Sequence, residues 1–522
     1  MNAESNGATR TALFKSLICY LRVPGVLCGE LKSLLPWVEN TSMSTLTAAL
    51  STYGFILNGR PVDQGPSGPV RSPYSGEPTA YVVTATRAQA EEAITGAVKA
   101  FEVTRKLPGY ERQRVLQQVS QQIAAHTEDF ARMMALEAGK PLKTARAEVA
   151  RAVFTFQVAA EESTRINGEY LPLDASDTAK GRWGIVRRFP LGPISAITPF
   201  NFPLNLVAHK VAPAIAAGCT MVLKPAAQTP VSALMLARLI HEAGWPAGAL
   251  NVLPLSNDDA APLIENVRMK MLTFTGSSAV GWELKKKAGK KRVTLELGGN
   301  AAVVVHSDAD LEYAAERCVT AGFSYSGQSC ISAQRILVHE AVFDRFLELL
   351  LPRVQRLKTG DPLEESTDIG PLIREADAIR AENWIKEALA AGAKLRCGGK
   401  RHGFIIEPTI LTNTRPDMKV NCMEVFAPVK TVEPYRTFAE AMQRVNDSPF
   451  GLQAGVFSRD MQLVFRAFEE IEVGGLMAND VPTFRTDQMP YGGVKDSGMG
   501  REGLRYAIEE MTEPRLLVLN LR

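Results

Sequence analysis

The sequence predicts an α/β fold: two interleaved parallel-sheet α/β domains that carry a β-hairpin appendage. Three observations predict it. After Gly192, short β-rich runs ending in turn residues (ISAITPF, TMVLKP, LNVLP, MLTFTGS) alternate with helical stretches such as VSALMLARLIHEAG. That alternation is the signature of a parallel sheet with helices on both faces. It resumes after Gly299, where VVVHSD leads into a helix from Asp310 to Phe323, RILVHE into another through Arg356, and GVFSRD into a third. Between the first helices and the first sheet, GEYLPLD and KGRWGIVRRFPLG alternate apolar and polar residues across a polar loop, which reads as a β-hairpin. The closing run RLLVLNLR can pair with that hairpin or with a partner chain's sheet.

Taken in order, residues 1–53 read as an N-terminal extension outside the fold. The apolar runs between residues 11 and 36 are broken by Lys15, Arg22, Glu30 and Lys32. None approaches the ~18 apolar residues of a membrane span, and no secretory h-region with a cleavage site is present. A surface-binding amphipathic segment is the sharper alternative, but the charges do not sort onto one face. The sequence restarts at Met43, consistent with residues 1–42 arising from an upstream start codon. From Thr86 the apolar spacing turns helical, and Gly139 and Pro141 end the run. A further helix is predicted over 143–165.

The 522 residues make about three domain lengths at ~150 residues each, with 46% hydrophobic and 22% charged residues, an ordinary globular composition. Lys and Arg number 59 against 56 Asp and Glu, so no basic surface for nucleic acid or an anionic membrane is expected. Seven scattered cysteines without a CxxC point to a reducing, cytoplasmic compartment rather than a disulfide scaffold. Six scattered histidines without HExxH offer no metal-ligand spacing, so no metal is expected.

A parallel sheet presents ligands beyond the carboxyl ends of its strands, so the residues that follow each predicted strand are the ones to weigh. Pro199-Phe200-Asn201-Phe202-Pro203 follows ISAIT, and Lys224-Pro225-Ala226 follows MVL. Thr275-Gly276-Ser277 follows MLTF and opens a helix, where backbone N–H groups of Gly276 and Ser277 can meet a phosphate. Alone, that turn is an ordinary N-cap, and the chain has no GxGxxG. Glu296 sits in an apolar strand that ends in Gly298-Gly299. It reads either as an edge-strand surface residue or as a buried carboxylate of raised pKa suited to general-base work. Cys330 stands in the polar turn Ser326-Gly327-Gln328-Ser329. A lone cysteine is usually an inert small hydrophobe, but here a thiolate can be exposed and stabilised.

Jointly these segments resemble the aldehyde dehydrogenase superfamily, NAD(P)-dependent enzymes. The matching stretches are PFNFP (199–203), KPA (224–226), FTGS (274–277), LELGG (295–299), GQSC (327–330), EVFAP (424–428) and GGVKDSG (492–498), in the family's order from about residue 55 to the C-terminus. The resemblance implies an atypical Rossmann cofactor domain over 54–168 and 191–297 and a catalytic domain over 298–505. It also implies an oligomerisation arm over 169–190 and 506–522. Cys330 matches the nucleophile, Asn201 the oxyanion donor that works with the backbone N–H of Cys330, and Glu296 the base that activates water. Lys224 matches the adenosine-ribose contact, Ser277 the pyrophosphate contact and Glu424 the nicotinamide-ribose contact. Thr198, Pro199, Phe200, Ala227, Gly248, Gly276, Leu297 and Phe426 complete the cofactor site that the resemblance implies.

Departures from the family pattern carry expectations of their own. Ala227 stands where many NAD-dependent members have a Glu that would repel a 2′-phosphate, so NADP use, alongside NAD, is expected. Phe200 replaces the commoner Trp, and Ala427 the usual Gly. Glu296 disfavours a coenzyme A-acylating mechanism, and the retained nucleophile and base disfavour a non-catalytic relative. The YSGQSCISAQR stretch and the 480–488 loop look like the branch of lactaldehyde, phosphonoacetaldehyde and non-phosphorylating glyceraldehyde-3-phosphate dehydrogenases, which implies a small polar or acidic aldehyde. Arg485 either binds the acidic tail of such a substrate or forms a loop salt bridge. Ser329 offers no cation. The arm implies a homodimer or homotetramer, because its β edges would be a liability in a monomer.

Overall fold

The computed structural model describes residues 50–521; the predicted extension 1–42, with Cys19 and Cys28, lies outside them. Thr52 and Tyr53, which sequence reasoning leaves in the extension, pair in parallel with Tyr81 and Val82, so the fold is already under way before residue 54. The short strands between Thr52 and Val83 were not predicted. They are only two to six residues long and interrupted by Gly and Pro, too short for an alternation to register.

The first sheet has six strands in the order 250–252, 220–224, 193–197, 271–275, 292–296 and 498–499. All are parallel except the last, which runs antiparallel to 292–296. Strand order reverses between 193–197 and 271–275, and the crevice outside their carboxyl ends is where ligands of such sheets bind. The edge strand Gly498–Met499 returns from the far end of the chain, which is how the two sheet units interleave.

The second sheet has seven strands in the order 394–397, 409–412, 429–435, 335–339, 302–305, 453–457 and 475–478, parallel except for the first. Its central strands are mostly apolar and buried apart from His339, as a sheet covered on both faces requires. A third sheet joins Glu169–Pro172, Arg182–Pro190 and Thr512–Asn520, all antiparallel. The C-terminal run therefore pairs with the predicted hairpin of its own chain.

Helix Asn205–Ala217 is buried over every residue. Helix Leu142–Glu162 packs against it and against helices Gly109–Ala125 and Thr127–Ala138. Gly139, at φ 64°, caps the last of these in the left-handed conformation, as Gly and Pro at 139 and 141 predict. Among the described residues, no helix is long and apolar enough to cross a membrane.

Candidate active site

A cleft of about 300 Å³ opens at the point of strand reversal and extends to the second sheet. Its wall carries Asn201, Glu296, Cys330, Glu424 and Arg485 together with Pro199, Phe200, Gly276, Ser277, Leu297 and Phe426. Thr198, Lys224, Ala227 and Gly248 are not part of that wall. Thr198 is buried and donates its N–H to the Lys224 carbonyl (3.1 Å), tying the ends of two adjacent strands. Gly248 lies apart, in a small cleft beside Trp245 and Leu250, where its positive φ of 80° and its closeness to Gly96 explain the glycine.

Cys330 is held by an unusually constrained loop. Tyr325, Ser326 and Gly327 take positive φ in succession (48°, 55° and 70°). A Cβ on Gly327 would fall 2.4 Å from the Ala427 carbonyl oxygen, and one on Gly299 2.1 Å from that of Cys330. These contacts give GQSC and LELGG a physical reason for their glycines. The strain is held by bonds from the Tyr325 hydroxyl to the Ala138 carbonyl (2.8 Å) and from Ser326 Oγ to the Gly370 carbonyl (2.7 Å). Gln328 adds a bond on each side of its amide, to the Pro371 carbonyl and from the Ile373 N–H.

The expected exposed, stabilised thiolate is not what this turn provides. Cys330 is half-buried, and burial pushes its thiol up to about 12, with the Tyr491 hydroxyl at 3.2 Å opposing the shift. The inert, buried Cys318 is pushed equally far. Position in the cleft, not resting ionisation, sets Cys330 apart.

Asn201 Nδ2 donates to the Gln328 carbonyl (3.1 Å), which fixes the side chain and leaves its second amide hydrogen for another acceptor. Its Oδ1 is buried without a partner among the described residues. Glu296 ends the strand 292–296, inside the sheet rather than at an edge surface, and is 3% exposed. Neither carboxylate oxygen has a hydrogen-bond partner among the described residues. Burial, then the charge of Glu502, holds its carboxyl well above the usual range, against Arg485, Lys210 and Arg501.

The residues on the first sheet's side fit a dinucleotide. Lys224 is buried, and no ion pair to it forms among the described residues. Ser277 is the N-cap of helix Ser278–Lys287 yet makes no side-chain cap bond, and Thr275 Oγ1 is buried without a partner among the described residues. One expectation needs correction: the Gly276 N–H donates to the Glu296 carbonyl (3.0 Å), so the sheet holds it and it does not face a phosphate. Glu424 accepts from the Gly299 N–H (2.9 Å) and is pushed up to about 7 by burial. Phe200 and Phe426 meet edge to face at 6.0 Å and wall the cleft between the two sides. Ala227 is exposed just beyond strand 220–224.

Arg485 is in the cleft and in a salt bridge at once. One Nη donates to Glu502 (3.0 Å) and contacts His209 Nδ1 (3.0 Å), the guanidinium stacks on Tyr491 at 3.6 Å, and Nε is buried without a partner. Beside it stands Arg151, on helix Leu142–Glu162, which reaches Asp487 with one Nη (3.5 Å) and whose Nε is likewise buried and unpartnered among the described residues. Burial, then the like charge of Arg485, lowers its pKa. Arg151, His209, Tyr491 and Glu502 escaped sequence reasoning. Tyr491 directly precedes the GGVKDSG stretch, a signal that was available; Arg151 looks like any solvated helix arginine.

The aldehyde dehydrogenase family profile matches residues 62–517. The 3-sulfolactaldehyde dehydrogenase of Priestia megaterium is 45% identical over 480 residues, covering 92% of this chain and all of the relative. Aldehyde dehydrogenase 21 from Physcomitrella patens, solved in complex with the reaction product succinate, is 45% identical with a TM-score of 0.89, over 91% of this chain and 99% of that one. Glyceraldehyde-3-phosphate dehydrogenase GapN from Methanocaldococcus jannaschii, complexed with NADP, is 38% identical with a TM-score of 0.84, over 88% and 100%.

Proposed function

Since the chain belongs to the aldehyde dehydrogenase family of NAD(P)-dependent oxidoreductases, we propose that it oxidises a small acidic aldehyde to its carboxylic acid through a covalent adduct on Cys330. The observation that carries this reading is the convergence on one cleft of Cys330, Asn201 and Glu296 with two arginines whose Nε–H donors are unpartnered.

Cys330 gives up its proton to solvent water in the cleft and attacks the carbonyl carbon as thiolate, and the free amide hydrogen of Asn201 meets the charge that develops on oxygen. When bound, the oxidised dinucleotide supplies the acceptor for the hydride that leaves the tetrahedral carbon, which turns the adduct into a thioester. Glu296 then takes a proton from water, which attacks the thioester carbonyl and releases the acid and the Cys330 sulfur. A carboxylate of raised pKa is a stronger base than an ordinary one, and that suits it to water. Its presence favours hydrolysis over transfer to coenzyme A, and the intact set favours catalysis over a purely structural role.

Arg151 and Arg485 support an anionic substrate. The two guanidinium groups stand side by side, each with one carboxylate neighbour (Asp487 at 3.5 Å from Arg151, Glu502 at 3.0 Å from Arg485), and a substrate carboxylate or sulfonate between them would ease their remaining repulsion and engage both Nε–H groups. The sulfonated substrate in the name of the Priestia relative and the dicarboxylate product in the moss enzyme are of that chemistry. Ser329 adds no further cation, which favours a single small acid group over a phosphate ester.

Lys224, Ser277, Glu424 and Leu297 are the residues that would hold the dinucleotide. The absence of a carboxylate at Ala227 favours NADP acceptance alongside NAD. The arm supports a homodimer or homotetramer: Trp183, Ile185, Leu516, Leu517 and Val518 are exposed on it, and Thr512–Asn520 is an open edge. Free thiols at the five described cysteines accord with a cytoplasmic location.

Reduced-cofactor absorbance with a panel of small aldehydes, using NAD and NADP separately, tests the reading. Acidic aldehydes should turn over fastest in the wild type, and Cys330→Ala should abolish turnover. Activity that survives Cys330→Ala would overturn the mechanism, and no turnover with any aldehyde would favour the non-catalytic reading.

A further inference from the structure

The phenol oxygen of Tyr491 lies 3.2 Å from the Cys330 sulfur. The ring is 4% exposed and packs with Ile331, Leu452 and Cys330 in a small apolar cluster. Arg485 covers its face at 3.6 Å from the centroid. A phenylalanine would fill the same volume, so it is the hydroxyl that needs a reason, because a buried polar group without a strong partner costs stability. A neutral thiol is a weak partner for an O–H, and a thiolate a strong one. The phenol itself stays protonated: burial, then the Cys330 charge, pushes its ionisation up.

We propose that Tyr491 is a catalytic residue whose hydroxyl donates a hydrogen bond to the Cys330 sulfur whenever that sulfur carries negative charge. This rests on Cys330 being the nucleophile. As the sulfur attacks, its lone pair forms the C–S bond, the carbonyl π pair moves to oxygen, and Tyr491 keeps its proton. When the thioester is hydrolysed, the C–S electron pair returns to sulfur and the same hydroxyl receives the leaving thiolate. The other charged groups facing the sulfur are Glu424 and Glu296, which oppose its ionisation, and Arg485, which favours it. Tyr491 supplies the hydrogen bond.

Alkylation of the full-length protein by iodoacetamide, followed by peptide mass mapping at Cys330, tests this with Tyr491→Phe. Loss of a charge-assisted hydrogen bond, partly offset by the greater nucleophilicity of a more basic thiolate, should slow alkylation by about three- to tenfold at each pH between about 7 and 9. The variant should also lose kcat for aldehyde oxidation while its dinucleotide Kd is unchanged. An alkylation profile for Tyr491→Phe that superimposes on the wild type would overturn the proposal. A slower profile accompanied by weakened dinucleotide binding would do the same, because it reports repacking of the cleft. Aldehyde oxidation by Cys330→Ala would instead overturn the nucleophile assignment, whatever Tyr491 does.

Discussion

Lys140 Nζ lies 2.7 Å from the main-chain oxygen of Asn201, deep inside the fold. The same ammonium sits over the rings of Phe202 (3.9 Å) and Tyr325 (4.3 Å) and is paired with Glu148, both side chains being fully buried. Glu148 in turn accepts from the N–H groups of Leu204 and Asn205 at 3.0 Å each. One ion pair therefore holds the loop of Asn201, the start of helix Asn205–Ala217, and the aromatic ring that begins the strained turn before Cys330.

Removing one member of that pair leaves an uncompensated buried charge. Lys140→Met should therefore cost about 3–5 kcal/mol of stability. Adding Glu148→Gln to it should recover part of that loss, since the stranded carboxylate is then gone. Urea denaturation of the two variants checks the sign: a double variant less stable than Lys140→Met would contradict the pairing as the source of the effect.

In the proposed mechanism Glu296 links catalysis to pH. Its folded carboxyl ionises well above the ordinary range, so the native state binds more protons than the unfolded chain once the pH exceeds about 4.5. Stability attributable to this group therefore falls as pH rises from there, until it ionises in the folded state as well. Glu296→Gln removes that slope. The variant should match wild type near pH 4 and gain on it above, by up to about 1.4 kcal/mol per pH unit, in melts across the range. Its steady-state turnover should drop by about 10²–10⁴, with one equivalent of reduced cofactor released in a burst as the thioester accumulates on Cys330. Equal loss of burst and steady state would place the defect before hydrolysis.

Arg151 can be separated from general packing by substrate charge. Arg151→Gln should raise KM for an acidic aldehyde by about 10- to 100-fold, the loss of one charge-assisted hydrogen bond, and leave a neutral aldehyde of equal length within about twofold. Arg151 suits this test better than Arg485, because its contact with Asp487 is longer (3.5 Å) than the Arg485–Glu502 bond (3.0 Å) and Asp487 keeps His209 as a partner at 2.8 Å. Matching KM changes for both aldehydes would remove Arg151 from substrate recognition.

What the sequence made legible, and what it hid, follows from how each residue acts. Asn201 and Glu296 lie at or just beyond the carboxyl ends of parallel strands, where such a sheet presents its ligands, and Cys330 lies in the Gly/Ser turn before strand 335–339; short segments with Gly and Pro mark such places. Lys140 and Glu148 sit eight residues apart at the join of two amphipathic helices, where a charged residue normally faces water. Nothing local distinguishes a buried pair from a solvated one, and only the packing of helix Asn205–Ala217 against Leu142–Glu162 decides it. Arg151 was hidden for the same reason. The Gly276 N–H went the other way: the turn was read correctly, but its donor is held by the neighbouring strand, a sheet register that the local sequence does not encode.

Ala227, on which the proposed NADP acceptance rests, is exposed, which makes it the cleanest site to alter. A carboxylate there accepts hydrogen bonds from ribose hydroxyls and repels a 2′-phosphate, and like charges brought together in a binding site cost several kcal/mol. Ala227→Glu should thus lower kcat/KM with NADP by at least about tenfold, a change of about 1.4 kcal/mol, and preserve or improve it with NAD. Because the side chain is at the surface, the melting temperature should barely move, so a kinetic change reports the cofactor and not the fold. Lys224, buried and without a carboxylate partner among the described residues, lies three residues before Ala227. If the new glutamate simply paired with Lys224, both cofactors would lose affinity together. An equal loss for NAD and NADP would therefore show that position 227 acts through Lys224 and does not discriminate the 2′-phosphate.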